Sequence, residues 1–278
     1  MKYVTSTIKY LFAHFFPLML LAALPATGIV VLLEPNGFGL LAPWSFPEGV
    51  KFLDVFFLVF NREIVTVYPY LFPVVLLVLT ACVSYSLGVV DKHFRVGKFT
   101  LRSPFAAIND CFLPTGIMIV LLAAIYLIAK FLLVCLFALL SYLLVKIGLP
   151  IVAIGFILTV TAIVAVVGVI LISIPLMYTS ATMLVYGYTF KEAFGVALKI
   201  GSKEKRKAID VGIAGAYLVY TIIIAAIDAL SLPAAASVPI NVILTAFLIQ
   251  FSCVFVMVSF FDLSGIERRD LADRRYGD

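Results

Sequence analysis

Six long apolar runs, separated mostly by short basic connectors, constrain this chain more than any other feature. They fall at roughly residues 15–33, 68–90, 112–145, 151–186, 208–230 and 239–261. A helix needs about 20 apolar residues to cross the hydrocarbon core of a bilayer. Composition agrees: 64% of the 278 residues are apolar and 13% charged, against about half and a quarter in soluble domains. A soluble chain with so little polar surface could not cover itself, so lipid is the expected solvent. The predicted fold class is all-α, a polytopic integral membrane protein with six transmembrane helices. A single transmembrane domain would occupy 1–265 and a charged tail 266–278.

The individual runs carry further expectations. The first continues past Ala22-Ala23-Leu24-Pro25-Ala26, a stretch that resembles a signal-peptide cleavage region; its length beyond Ala26 suits a retained helix. The long interruption at 34–66 holds Pro35-Asn36-Gly37, a turn signal, and an amphipathic segment at 48–60 suited to the membrane surface. Trp44, Tyr68 and Tyr70 are expected interfacial anchors. The third run is about 34 residues, too long for one perpendicular span and too short for two with a turn. It predicts one long, tilted or protruding helix, with a tight turn at 146–150. Pro175 is expected to kink the fourth helix or to mark where it leaves the core.

Charge orients the spans. Sixteen of the 20 lysines and arginines lie on one side of a six-helix arrangement: in 1–14, 91–111, 188–207 and the C-terminal tail. The positive-inside rule then puts both termini in the cytoplasm, in the inner (plasma) membrane of a bacterial-type cell. The net charge of +5 does not point to nucleic acid, because no basic face with interleaved aromatics forms a folded module.

Segments 3–14, 101–111 and 190–200 are each short, amphipathic and basic. Each precedes a pair of spans, which predicts three repeats of a surface helix plus a transmembrane hairpin. Within this pattern, Ile174-Pro175-Leu176, Phe190-Lys191-Glu192-Ala193 and Ala197-Leu198-Lys199 resemble a proline-ended helix followed by an amphipathic helix. With Phe260-Phe261-Asp262-Leu263 and the downstream Asp270-Leu271, they are similar to the glycerophosphodiester phosphodiesterase membrane-domain-like family over residues 100–272. Glu267-Arg268-Arg269 departs from that family's usual glycine-containing stretch. The resemblance implies a six-helix membrane domain and lends no activity, since 278 residues of this composition leave no room for the phosphodiesterase domain sometimes fused to it.

Few residues are candidates for chemistry. Lys130 and Asp228 are the charged residues well inside apolar runs. Intramembrane ionisable groups are costly and mark functional positions, so the two form a candidate ion pair at similar depth; the competing reading is that each reaches to the headgroups. Lys199, Lys203, Lys205, Arg206 and Lys207, with Phe190, Phe194 and Leu198 nearby, are candidate contacts for anionic lipid headgroups. Gly212 with Ala216, and Ala225 with Ala229, are small-xxx-small pairs that permit close helix approach within the chain or in a homodimer. Cys82, Cys111, Cys135 and Cys253 form no C-x-x-C pair, and His14 and His93 have no metal-ligand spacing. No H-E-x-x-H, G-x-S-x-G or P-loop motif is present. The chain therefore predicts no catalytic residue, cofactor or metal. The expectation is a non-enzymatic, structural or envelope-related protein acting through lipid or a membrane-protein partner. The alternative is a small transporter or channel using Lys130 and Asp228.

Overall fold

The computed structural model describes residues 2–32, 71–100, 104–200, 206–230 and 232–271. Every regular element among them is helical. The order is α1 (Lys2–Ala13), α2 (Phe15–Thr27, extended by a π-helical turn at Gly28–Leu32), α3 (Phe72–Val96), α4 (Pro104–Lys146), α5 (Ile151–Tyr186), α6 (Phe190–Ile200), α7 (Arg206–Ala229) and α8 (Ala234–Ser264), closed by a 3₁₀ turn at Arg269–Leu271. Five helices are long and apolar enough to span a membrane, and a sixth is obtained if α1 and α2 count as one broken span. The protein is an all-α polytopic membrane protein. The expectations for 34–66, with Trp44, Tyr68, Tyr70 and the 48–60 surface helix, lie outside the described residues.

The chain breaks at His14, where the α1 and α2 axes diverge by 94°. Helix α1 buries Tyr3, Thr7, Tyr10 and Leu11, which recur at helical spacing and form one inward stripe. That stripe lies across the end of the bundle, against α8, α7 and α2. Helix α6 behaves similarly: Ala193 and Ala197, one turn apart, are its buried residues, and it packs on α5. Its start is secured by Glu192, which accepts from the Thr189 backbone N–H at 3.1 Å and from its hydroxyl at 2.7 Å, as in a capping box.

The middle repeat differs from its expectation. Among the described residues no separate surface helix precedes the third span; α4 runs without a break from Pro104 to Lys146. Two of the three predicted introductory helices are thus distinct elements and one is continuous with its span. The second span also runs further than its apolar stretch. Helix α3 continues through Asp91, Lys92, His93, Phe94 and Arg95 until Gly97, whose φ of +82° stops it.

Helix α8 is the centre of the molecule. Residues 250–261 are all buried, enclosed by α1, α2, α3, α5 and α7. Phe255, Met257, Phe260 and Phe261 have no exposed surface. Helix α2 approaches α8 through Ala22 and Ala26 against Ala246, small residues that let the backbones come close. Gly212 of α7 does the same: a Cβ there would lie 2.9 Å from the Phe255 ring and 3.1 Å from Val4. The Gly212–Ala216 face therefore packs inside the chain. The side chains of Ala225 and Ala229 lie outside the described residues.

The α4–α5 hairpin stands apart from this core over its far half, where Val134, Phe137, Ala138, Ile154, Leu158 and Ala162 form their own cluster. The predicted tight turn closes it. Gly148 adopts φ +76°, its N–H donates to Val145 at 3.0 Å, and the Leu149 N–H reaches back to Leu144 at 3.2 Å. This is the Schellman pattern, completed by packing of Leu144 and Leu149 on the same cluster.

Candidate functional site

One end of the bundle gathers most of the polar contacts. There the C-terminal ends of α3, α5 and α8 meet α1, α6 and the start of α7. Arg95 links α3 to α5 by donating to the Val185 carbonyl at 2.9 Å, while its Nε holds Asp91 at 2.9 Å. The Tyr3 hydroxyl donates to Asp262 at 2.5 Å, with Lys2 at 3.8 Å from the same carboxylate. The first helix is thereby tied to the last. Residues 266–271, the start of the predicted tail, belong to the fold. Arg268 lies 4.1 Å over the Phe94 ring and pairs with the buried Asp270 at 2.7 Å, and the Arg269 carbonyl lies 3.4 Å from where a Cβ on Gly97 would be.

The same end holds a cleft where α5, α6, α7 and α8 converge. It is a shallow groove open to solvent, with enclosed room for about one water. Ile174 and Pro175 of α5, Ala197 of α6, Ile209 of α7 and Leu263 of α8 supply apolar walls; Arg206, Asp210 and Tyr178 supply the polar groups. Arg206 and Asp210 stand one turn apart on α7, the spacing at which helical side chains meet, and the arginine Nε donates to Asp210 Oδ2 at 3.2 Å. Tyr178 is held by a hydrogen bond to Ser259 at the back of the cleft. Asp210 Oδ1 is buried and has no partner among the described residues.

The predicted site residues are distributed as follows. Arg206 is half-buried in the cleft, while Lys199 and Lys207 are exposed beside it; Lys203 and Lys205 lie outside the described residues. Lys130 is half-buried and leans back one turn, its Nζ 5.9 Å from the Tyr126 ring centroid. Lys146 does the same over Tyr142 at 5.7 Å. Asp228 lies in the last turn of α7, and its side chain lies outside the described residues. The two helices carrying the candidate ion pair have different principal neighbours: α4 packs on α3 and α5, α7 on α8 and α5.

Sequence reading missed two features. It placed His14 and His93 in separate flanks, whereas their ring centroids lie 5.0 Å apart. His93 is hydrogen-bonded through Nδ1 to the Tyr10 hydroxyl at 2.8 Å, and His14 stacks on Phe99 at 4.2 Å. No local pattern could have paired them, because the break at His14 and the helical extension past Val90 bring them together. Asp210 was also overlooked, although a carboxylate four residues after Arg206 at a helix start was a visible signal. Among the described residues no three histidine, cysteine, aspartate or glutamate side chains cluster as a metal site would require.

Comparison with known proteins found no match among protein-family models, curated proteins or solved structures.

Proposed function

We propose that this is a non-enzymatic membrane protein with a structural or envelope-related role, exercised by engaging phospholipid headgroups on the cytoplasmic leaflet of a bacterial-type inner membrane. Both termini lie in the cytoplasm in this reading, which the clustering of basic residues supports. Kinship with the glycerophosphodiester phosphodiesterase membrane-domain-like family is part of the proposal. Of the closing pattern, Asp262 is tied to Tyr3 of the first helix, and Asp270 pairs with Arg268, which lies over Phe94; this suits a signature that maintains a fold.

The observation that carries the reading is the position of the Arg206–Asp210 cleft beside exposed Lys199 and Lys207. Helix ends, apolar walls and cations meet there. The packing around α8 favours this reading over transport. Buried polar groups in the core pair with one another, as Gln250 does with Ser86 at 2.9 Å and Tyr217 with Ser252 at 3.1 Å. A water-filled pathway would not require such pairing, although Thr7, Asn241 and Gln250 each keep one unpaired buried oxygen.

The test is native mass spectrometry of protein purified in mild detergent, delipidated and titrated with defined phospholipids. Replacing Lys199, Lys203, Lys205 and Lys207 with glutamine is expected to weaken anionic-lipid binding by about fivefold per lysine, from about 1 kcal/mol per charge near a membrane surface. Unchanged binding, or no phospholipid binding by the wild type, would overturn the reading.

A further inference from the structure

We propose that α1 and α6 each present a second apolar edge that inserts between lipid acyl chains, so that the two helices lie edge-on in the leaflet at their end of the bundle. Acyl chains are a different partner from the headgroups proposed above, and these edges engage them whether or not headgroups bind beside Arg206.

Both helices pair a covered stripe with an uncovered one. On α1 the bundle covers Tyr3, Thr7, Tyr10 and Leu11. Ile8 and Phe12, one turn apart and flanking that stripe, are exposed, as are Lys2 and Lys9 further round the helix. On α6 the covered residues are Ala193 and Ala197. Phe190, Phe194 and Leu198 follow one another at four-residue spacing on the adjoining edge; the phenylalanines are half-buried and the leucine is exposed. Lys191 and Lys199 come next, both exposed. Around each helix the order is therefore the same: bundle face, apolar edge, lysines. A helix that only capped the bundle would need one apolar stripe. A helix lying in the membrane interface keeps an apolar face on the acyl boundary and lysines on its polar face, with their stems along the lipid and their ammonium groups among the headgroups.

Two observations point to acyl chains as what covers these edges. One is continuity with a lipid-facing row. Phe12 stacks on Phe15 at 6.2 Å, and Phe15 meets Phe16 at 5.7 Å. Phe16, Leu20 and Leu24 then run down the outside of α2 at four-residue spacing, all exposed. The edge of α1 thus passes without a gap into the outer face of an apolar helix that belongs in the bilayer. The other observation is level. Neither helix sits on top of the bundle. The Tyr3 ring lies 6.5 Å from that of Phe255, nine residues before the end of α8. Ala197 shares a wall with Ile174, twelve residues before the end of α5. At ~1.5 Å per residue, α8 and α5 continue for ~14 and ~18 Å past these contacts. The long helices therefore rise past α1 and α6, whose outer edges lie beside the bundle, where the leaflet is.

The test is single-tryptophan fluorescence of the full chain in phosphatidylcholine vesicles that carry bromine either high or low on the acyl chains. Trp44 is the one native tryptophan, so Phe12→Trp, Phe194→Trp and Lys9→Trp are each made in a Trp44→Phe background. An interfacial helix buries its apolar face ~5–10 Å into the headgroup and acyl boundary. Phe12→Trp and Phe194→Trp are therefore expected to be quenched by the high bromines more than by the low ones, and Lys9→Trp chiefly by aqueous acrylamide. Quenching of Phe12→Trp and Phe194→Trp by acrylamide alone would put the edges in water and overturn the proposal. Protection from both quenchers would put them against protein, a second copy or another partner, and overturn it equally. Bromine quenching of Lys9→Trp as strong as that of Phe12→Trp would remove the edge-on arrangement. Wild-type protein supplies an independent readout: a phosphatidylcholine with a photoactivated diazirine high on its acyl chain should label residues 8–16 and 190–198, and no labelling of either segment would overturn the proposal even where a variant does not fold. The lysine-to-glutamine titration above measures headgroup binding, so failure there and failure here are read separately.

Discussion

The hydrogen bond from Tyr3 to Asp262 joins residues 259 positions apart in the chain. Burial, then the hydrogen bond to Asp262 and that carboxylate's charge, push the Tyr3 hydroxyl above the usual phenol range. The raised value favours the protonated form in the folded state. The contact's contribution is therefore full below the unfolded phenol value of about 10, and it is lost as pH rises through the folded value. Thermal unfolding in detergent should show wild-type protein losing stability between pH 9 and 11 more steeply than Tyr3→Phe; parallel curves would count against the contact. At neutral pH the substitution should cost about 1 kcal/mol, at the low end for a charged hydrogen bond because Asp262 is partly exposed. Asp262 was visible in the sequence as part of a closing motif, but its partner was not. A hydrogen bond across 259 positions has no local signature, and the same holds for Tyr10 with His93.

Among the elements, α7 shows how helix contact depends on one small residue. Gly212→Ala would put a methyl 2.9 Å from the Phe255 ring, which is itself fully buried, and 3.1 Å from Val4. The Phe255 ring has no free space to withdraw into, so the substitution should destabilise by about 1–3 kcal/mol, as overpacking does. Gly215, three residues along the same helix, has nothing within 4 Å of a Cβ. Gly215→Ala should be neutral or stabilising by about 0.5–1 kcal/mol through helix propensity. Chemical denaturation of both variants in the same detergent checks the contrast, and equal effects would mean that Gly212 is not a packing contact. The small-xxx-small spacing was legible in the sequence. Which surface it faces was not, since the same spacing serves a partner chain or a neighbouring helix equally well.

For the whole molecule, the span at Cys111–Lys146 has 36 residues and is therefore ~54 Å long, against ~30 Å of hydrocarbon core. A tilt of ~40°, the upper end for membrane helices, shortens it to ~41 Å, within the ~40–45 Å that includes the headgroup regions. Leu143, Ile147, Val152 and Phe156 near the tip are exposed and apolar, so the tip belongs in lipid. In a Trp44→Phe background, Phe156→Trp should be quenched by brominated acyl chains; quenching by aqueous acrylamide alone would place the tip in water instead. At this scale the sequence determined the helical class, the five to six long apolar helices and the turn at Gly148. A bilayer requires about 20 apolar residues per crossing and every backbone group paired within its own helix, and both requirements are written locally. Only the tertiary structure decided that α8 is central, that α1 crosses the bundle end, and that Arg206 and Asp210 share a cleft with Tyr178. Lipid tails are as apolar as a protein core, so an inward face and a lipid-facing one carry nearly the same residues. Of the α8 residues that end up buried, polar ones such as Gln250, Ser252 and Ser259 were the visible hint. Their cost in lipid turns them inward, but it does not say which helices will receive them.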